Sequence, residues 1–250
     1  AVTSQNYYSP IVPQNTFVGN QNLKGTIFLD NNGNFQDIDY LMLTTGSHLG
    51  QAQRLAQINR DKYGLNVKVV TLGSIYNEFA TGNPDIVAIR NFVKYVYDNA
   101  SSPENKVKYL CLFGDSSFDY KGRISSNAYN FPTWNAYSSF NLTNSFISDD
   151  FYGYLDLGEG NLDAYNSANK LDVAVGSIVA YSPQLAKNTV DKVSICYSKD
   201  ALGSWINNFV VISDDVDEAW EGTLQAKTDQ IADELTANKP LLNVTKTHSD

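Results

Sequence analysis

Acidic side chains follow an apolar segment near the middle of the chain. In YLCLFGDSSFDYKGR (109–123), four apolar residues stop at Gly114, and Asp115 opens a run of two acids and two bases. An aspartate just after a buried strand either caps the next helix or lines a cleft at the carboxyl ends of the strands. No clear helical pattern follows Asp115, so we favour the rim of a cleft.

A second group of acids lies in a long polar segment. SDDFYGYLD (148–156) contains Asp149, Asp150 and Asp156. Hard cations bind several oxygen ligands, which loop carboxylates commonly supply, so calcium is the candidate ion for these three residues. The spacing matches no EF-hand, and solvated turn acids are an equally good interpretation.

A third group of acids occurs in SDDVDE (213–218). Asp214 and Asp215 follow an apolar segment and precede a helical pattern from Ala219. They could cap that helix, line a cleft, or do both. Together with Asp115, Asp149 and Asp150, they make up the predicted substrate-binding residues.

The nucleophiles in the sequence do not form a catalytic set. Cys111 lies in an apolar strand pattern and Cys196 in a helical one, so we expect two buried thiols and no disulfide. His48 lies at a predicted strand exit but has no partner that the sequence identifies, and His248 has no supporting residues. A G-x-S-x-G elbow is absent, and so are the phosphate-binding loops of nucleotide-binding proteins.

The amino-acid sequence argues against a nucleic-acid partner and against a membrane-spanning helix. The formal net charge is −9 and the pI about 4.6, which argues against nucleic acid because phosphate binding needs clustered Lys and Arg. No apolar run approaches the roughly 20 residues that a membrane-spanning helix needs. The acidic balance suits a secreted or surface protein, or one that binds a divalent cation.

Apolar strand patterns alternate with amphipathic helical patterns along most of the chain. The predicted strands cover 25–30, 38–45, 66–73, 107–115, 171–178, 208–215 and 241–250, and the predicted helices cover 49–64, 84–100, 182–199 and 219–238. Such alternation predicts an α/β fold with parallel sheet covered by helices on both faces.

The pattern also predicts a division of the chain. We expect an N-terminal arm and hairpin (1–36), a first α/β subdomain (37–115), a long insert that lines the cleft (116–170), and the start of a second α/β subdomain (171–250). A parallel unit normally continues beyond a strand such as 241–250, so we expect the sequence to be the front part of a longer protein.

The order of motifs along the chain resembles that of the gingipain-type cysteine peptidases, family C25. The likeness is greatest to PorU-like sortases of the type IX secretion system in Bacteroidetes, and it covers about residues 37–250. The motifs that carry it are VKYLCLFGDSSFDYKGR, FPTW, NSFISDDFYGYLD, LDVAVGS and the PQLAK…VDK helix.

The resemblance implies a caspase-like fold with two adjacent parallel or mixed sheets flanked by helices. It also implies a protein at the cell surface or outer membrane that removes C-terminal sorting domains from secreted cargo. Its partners would be that cargo and other components of the type IX secretion system.

The sequence departs from the family pattern in its catalytic motifs. In the family, the catalytic His lies in a Gly-His-Gly turn and the nucleophilic Cys ends the next strand, and neither motif occurs here. Ser177 stands where the resemblance predicts Arg, and no S1 aspartate of the Arg-specific gingipains is evident. We therefore expect the His–Cys dyad to lie beyond Asp250 and this chain alone to be inactive. The alternative is a catalytically inactive binding or surface module with the same fold.

Overall fold

The structure is a computed structural model that describes residues 21–117, 119–121, 123–124, 130–163, 169–198 and 201–249. Most of the predicted N-terminal arm lies outside these residues. The helices are α1 (Leu23–Thr26), α2 (Leu49–Tyr63), α3 (Leu72–Phe79), α4 (Ile86–Asp98), α5 (Pro183–Cys196) and α6 (Glu221–Asn238). The longer strands are β1 (Tyr40–Thr44), β2 (Val67–Thr71), β3 (Tyr109–Phe113), β8 (Ala174–Ile178), β9 (Asn208–Asp214) and β10 (Asn243–Ser249), and the short strands are β4 (Asp115–Ser117), β5 (Asn130–Pro132), β6 (Trp134–Asn135) and β7 (Ile147–Ser148).

The centre of the fold is a four-stranded parallel sheet in the order β2-β1-β3-β8. Its strand β1 pairs with β2 on one side and β3 on the other, and Leu41, Met42 and Leu43 of β1 are completely buried. Parallel strands buried on both faces require nearly continuous apolar sequence, which the two central strands β1 and β3 have. The predicted α/β fold with helices flanking a parallel sheet is confirmed.

The helices that cover the sheet begin and end as local sequence chemistry dictates. Helix α2 ends at Gly64, whose φ of 66° is the left-handed conformation that glycine adopts most easily. Helix α4 begins after Asp85, whose side chain accepts a hydrogen bond from the backbone N–H of Val87. Pro84 therefore precedes the cap of α4 and does not lie in its first turn. Ser182 caps α5 by accepting from the N–H of Leu185.

Two local predictions differ from the structure. The predicted strand 25–30 begins inside α1, and only Leu29 makes a β-bridge, to Phe35. Helix α3 was not predicted, because Gly73 was interpreted as the end of a strand. It forms because Thr71 caps it by accepting from the Ser74 N–H, and because Leu72 and Ile75 reach the core.

The long segment after β3 packs firmly through its second half. Several large side chains of residues 131–155 are buried in the core cluster that also contains residues of α3 and α4: Phe131, Trp134, Phe151, Tyr152 and Leu155. The Tyr152 hydroxyl donates to the carbonyl of Pro132, and burial raises its pKa well above the ordinary value, so the phenol stays neutral. Aromatic burial holds the described residues 131–155 against the core.

The chain forms two compact units, residues 1–190 and 191–250. Strand β8 was expected to open a second subdomain at residue 171, but it pairs with β3 in the first sheet, so the division falls later. In the second unit, β9 and β10 form a parallel pair against which α6 packs. None of the helices described is both long and apolar enough to cross a membrane.

Candidate functional site

The carboxyl ends of three strands are joined in the first unit. The Thr44 hydroxyl, at the end of β1, donates to the carbonyl of Phe113 at the end of β3, over 3.1 Å. The N–H of Gly114 then donates to the carbonyl of Ile178, the last residue of β8, over 3.0 Å. This edge is where ligands bind in open α/β sheets, so it is the natural rim of a site.

His48 lies fully buried at this rim. Its Nδ1 lies 2.8 Å from the Thr45 hydroxyl and 3.2 Å from the Ser47 hydroxyl, and its ring packs edge-on against Phe113 with centroids 6.2 Å apart. Burial lowers its pKa below 6.5, and backbone carbonyls near residues 180–182 only partly oppose this. The buried, neutral imidazole therefore contacts residues at the ends of both β1 and β3. These partners could not be identified from the sequence alone.

Asp115 is the first residue of β4 and is half-buried. Strand β4 pairs in parallel with β5, with Asp115 opposite Asn130. Because a strand and not a helix begins here, Asp115 does not act as a helix cap. Its position directly after the sheet agrees with the rim interpretation, and its contact with substrate stays a prediction.

Asp119 has a structural role in the same exit loop. It is buried, and its two carboxylate oxygens accept hydrogen bonds from the backbone N–H groups of Arg123 and Ile124, each over 2.8 Å. The carboxylate therefore closes the loop. Loop closure therefore explains one of the two acids in residues 109–123.

Asp149 is brought to the end of β8. Its carboxylate accepts a hydrogen bond from the Ser177 hydroxyl, and Asp149 directly precedes a short 3-10 helix, Asp150–Tyr152. Ser177 occupies the position where the family resemblance predicts arginine, so a neutral hydroxyl holds this carboxylate. The side chain of Asp150 is exposed next to it.

The acids that come together differ from the three predicted to bind calcium. Among the described residues, carboxylate oxygens of Asp156, Glu159 and Asp172 lie within 4.8 Å of one another, and Asp149 and Asp150 are not part of this cluster. The Glu159 carboxylate also accepts hydrogen bonds from the N–H groups of Asp156 and Lys170. The Asp172 carboxylate accepts from the N–H of Leu155 and from the Tyr97 hydroxyl. The three acids therefore have a structural role, because their hydrogen bonds hold the loop together. Calcium binding at these acids or at the predicted ones stays a prediction.

Arg90 positions the same loop, and the sequence analysis missed it. From α4, its Nε donates to the carbonyl of Tyr154 over 2.6 Å, and its guanidinium also reaches the carbonyls of Asp156 and Glu159. The guanidinium lies 5.7 Å from the centre of the Phe151 ring. The only sequence signal was a cation on a largely apolar helix face.

Asp214 and Asp215 belong to the second unit. Asp214 ends β9, but α6 begins only at Glu221, after an N-cap at Trp220 that makes no side-chain bond. Of the alternatives for these two acids, capping of α6 does not occur. Their role in a substrate cleft stays a prediction.

The two thiols differ in exposure. Cys111 is buried in β3 as predicted, and burial raises its pKa to about 11, so it is a poor nucleophile. Cys196 is the last residue of α5 and is exposed, so the prediction that both thiols are buried is wrong for this one.

His248 has partners that the sequence did not reveal. Its Nδ1 lies 2.7 Å from the Ser213 hydroxyl, and its Nε2 lies 3.5 Å from a carboxylate oxygen of Asp229. Lys246 pairs with Asp229 and Asp233 nearby. These contacts join β9, β10 and α6, and they bind the second unit together.

An apolar groove of about 590 Å³ runs along β8 on one face of the first sheet. Its walls include Tyr40, Tyr63 and Tyr109. All five residues of β8, Ala174–Ile178, are among its lining residues, and none of the predicted substrate-binding acids is.

Comparison with known proteins decides the family. The sequence profile described as "Peptidase family C25" matches residues 34–250. The chain belongs to peptidase family C25. No curated protein sequence matches it significantly.

Two solved structures are similar to this C25 chain. Dimeric latent PorU from Porphyromonas gingivalis is 33% identical with a TM-score of 0.52, over 68% of this chain and 16% of that one. The complex of P. gingivalis RgpB pro- and mature domains is 16% identical with a TM-score of 0.53, over 84% of this chain and 42% of that one. The predicted gingipain-like fold and the resemblance to PorU are confirmed. The chain spans well under half the length of each relative.

Proposed function

We propose that this chain is the front part of a C25 cysteine peptidase that acts as a sortase of the type IX secretion system. The observation that carries the proposal is the 33% identity to PorU over 68% of the chain. The substrate would be secreted cargo with a C-terminal sorting domain, cleaved at the cell surface. Since the chain covers 16% of PorU, this activity belongs to the whole protein.

The residues of this chain would bind and orient the cargo. The thiols described here do not suit a nucleophile, so the His–Cys dyad would come from elsewhere in the protein. Asp115, at the exit of β3, offers a half-buried carboxylate to peptide N–H groups or cationic side chains of the cargo. Asp149, held by Ser177, offers a second carboxylate at the exit of β8.

The proposal is tested by Asp115→Asn in the full-length protein. The substitution keeps the shape of the side chain and removes its charge, so we expect cargo processing to fall by about tenfold or more, as for a lost charged contact to substrate. Asp98→Asn is the matched control, because Asp98 is exposed on α4 and forms an ion pair with Lys94 of the same helix. Melting temperatures of both variants separate a binding defect from unfolding.

Two results would contradict the proposed role. Normal processing by Asp115→Asn removes this residue from substrate binding. Equal loss of processing in Asp98→Asn shows that the effect is not specific to the strand exit.

The alternative is a non-catalytic surface module of the same fold. Cys111 and Cys196 favour it, because the first thiol is buried with a raised pKa and the second ends a helix and follows no strand directly. Treatment of the full-length protein with iodoacetamide separates the two functions. Loss of cargo processing supports the peptidase, and a protein that binds cargo but never cleaves it supports the module.

A further inference from the structure

The loop between β6 and β7 projects apolar side chains into solvent. We call residues 136–147 the hairpin tip, because Trp134 and Asn135 pair in antiparallel fashion with Ser148 and Ile147 at its base. Tyr137 is 92% exposed, and Phe140 and Leu142 are completely exposed. Phe146 and Ile147, also exposed, extend this surface toward the base. Several large exposed apolar side chains within one short loop make it a candidate interaction surface.

The hairpin tip contains no charged group. From Thr133 to Ser148 the sequence is TWNAYSSFNLTNSFIS, without a single Asp, Glu, Lys, Arg or His. The rest of this protein is strongly charged, with a formal net charge of −9. A segment without charge enters a medium of low dielectric constant without the cost of removing water from an ion.

Many polar groups of the hairpin tip are satisfied within the tip. The Asn141 side-chain oxygen accepts from the N–H groups of Thr143 and Asn144 and from the Thr143 hydroxyl. The N–H of Asn141 donates to the carbonyl of Ser138, that of Ser145 to the carbonyl of Asn141, and the Ser139 hydroxyl to the carbonyl of Ala136. Internal hydrogen bonding is what a backbone needs when water is removed from around it.

We propose that the hairpin tip inserts into the interface of an electrically neutral lipid bilayer. The Tyr137 ring, 92% exposed, suits the interfacial region of a bilayer, where Tyr and Trp are enriched, and the exposed Phe140 and Leu142 suit its apolar part. The loop is far too short to span the membrane, so it anchors the protein at the surface.

The charges of the hairpin tip and of the surrounding chain determine which lipid headgroup the tip should bind. The hairpin tip has no Lys or Arg to pair with anionic headgroups, and Asp163 lies at its base, where it accepts from the N–H of Tyr137. The acidic surface of the chain is repelled by an anionic membrane. Zwitterionic phosphatidylcholine is therefore the fitting probe, and phosphatidylglycerol should bind less protein.

Flotation of the full-length protein with phosphatidylcholine vesicles tests the proposal. The double variant Phe140→Ser, Leu142→Ser removes two exposed apolar side chains that pack against nothing, so its fold should be unchanged. We expect its vesicle binding to fall by about tenfold or more. Leu157→Ser is the matched control, since Leu157 is equally exposed but lies outside the hairpin tip, and it should bind vesicles as the wild type does.

A second measurement reports insertion directly. In Phe140→Trp, the added fluorescence should be quenched by brominated phosphatidylcholine, and Leu157→Trp should show no such quenching. Equal flotation of all variants, or no quenching at position 140, would overturn the proposal. Wild-type self-association or capture of a protein partner that is lost in the double variant, without vesicle binding, would assign the hairpin tip to a protein surface and also overturn it.

Discussion

The two compact units of this chain differ most in how far the apolar side chains of their strands are buried. Leu41, Met42 and Leu43 of β1 are completely buried between helices. In the second unit, Val210 and Ile212 of β9 are 55% and 69% exposed, although the middle of that strand, Phe209–Ile212, is apolar in sequence. Parallel strands gain stability only when both faces are covered, and α6 covers β9 and β10 on one face. Apolar sequence therefore predicts a strand, but only its neighbours determine how much stability it contributes.

The largest effect should come from the core of the first unit. Phe92 in α4 is fully buried and packs against Phe79 with ring centroids 5.5 Å apart. Phe92→Ala should lower the free energy of unfolding by about 3–5 kcal/mol, while Phe209→Ala in the half-exposed β9 should cost about 1 kcal/mol. Native-state hydrogen exchange of β1 and β9 measures both, and equal costs would contradict the comparison.

A smaller effect is expected where the insert approaches β8. A Cβ atom on Gly153 would lie 2.7 Å from a methyl group of Val175 and 2.9 Å from the carbonyl of Val173. Gly153→Ala should therefore destabilise the first unit by about 1–3 kcal/mol. In the second unit, Gly222→Ala meets only Val216 at 3.9 Å and should stabilise α6 by up to about 1 kcal/mol. Urea unfolding measures both, and destabilisation by the second variant would contradict the contrast.

Arg90 offers the next comparison. Arg90→Met removes hydrogen bonds from a charged group to the carbonyls of Tyr154, Asp156 and Glu159, so we expect a loss of about 2 kcal/mol and faster hydrogen exchange in the loop 154–160. Lys246→Met in the second unit breaks only exposed ion pairs and should cost less. An unchanged exchange rate in the loop would show that aromatic packing alone holds it.

Acid should weaken the first unit through His48. Its pKa in the folded state lies below the ordinary value of 6.5 because the ring is buried, so protonation favours the unfolded state. Its contribution is present above about pH 6.5 and is lost as the pH falls through its folded-state pKa. His48→Asn should flatten the decline in melting temperature between about pH 7.5 and 5.5. The same slope in the variant would assign the decline to other groups.

The effect of calcium should be the smallest. The carboxylates of Glu159 and Asp172 already accept hydrogen bonds from the loop, so calcium can relieve only part of the repulsion among them and Asp156. We expect calcium to raise the melting temperature by about 1–2 °C relative to EGTA, and Glu159→Gln to abolish the rise. An equal rise in the variant would place any calcium elsewhere.

Much of the fold could be predicted from local sequence. The main strands and helices carry their apolar period and their start or stop signals within a few residues, as with Gly64 at the end of α2 and Ser182 at the start of α5. Helix α3 could not be predicted, because its cap, Thr71, belongs to the preceding strand and its apolar pattern is only eight residues long. The break between the units was misplaced because an apolar strand such as β8 does not show in which sheet it pairs.

The candidate site was less predictable. Asp115 was singled out because an acid directly after a buried strand is a local signal, and Asp149 because acids are grouped in SDDFYGYLD; substrate contact by either residue stays a prediction. Their neighbours were not identified, because Ser177 and Asp149 are 28 residues apart in sequence and meet only after the sheet has formed. The same holds for Arg90, whose carbonyl partners lie more than 60 residues away.

The sequence by itself determined the alternation of strands and helices, the family, and the uncharged hairpin tip, because each is written in residue types over a short span. Only the tertiary structure decided which acids gather, which histidine is buried, and which apolar strands are covered. Those properties depend on the strand order β2-β1-β3-β8, which places distant segments side by side. Local patterns of apolar and polar residues do not encode that order, because the same pattern fits a strand at any position in the sheet.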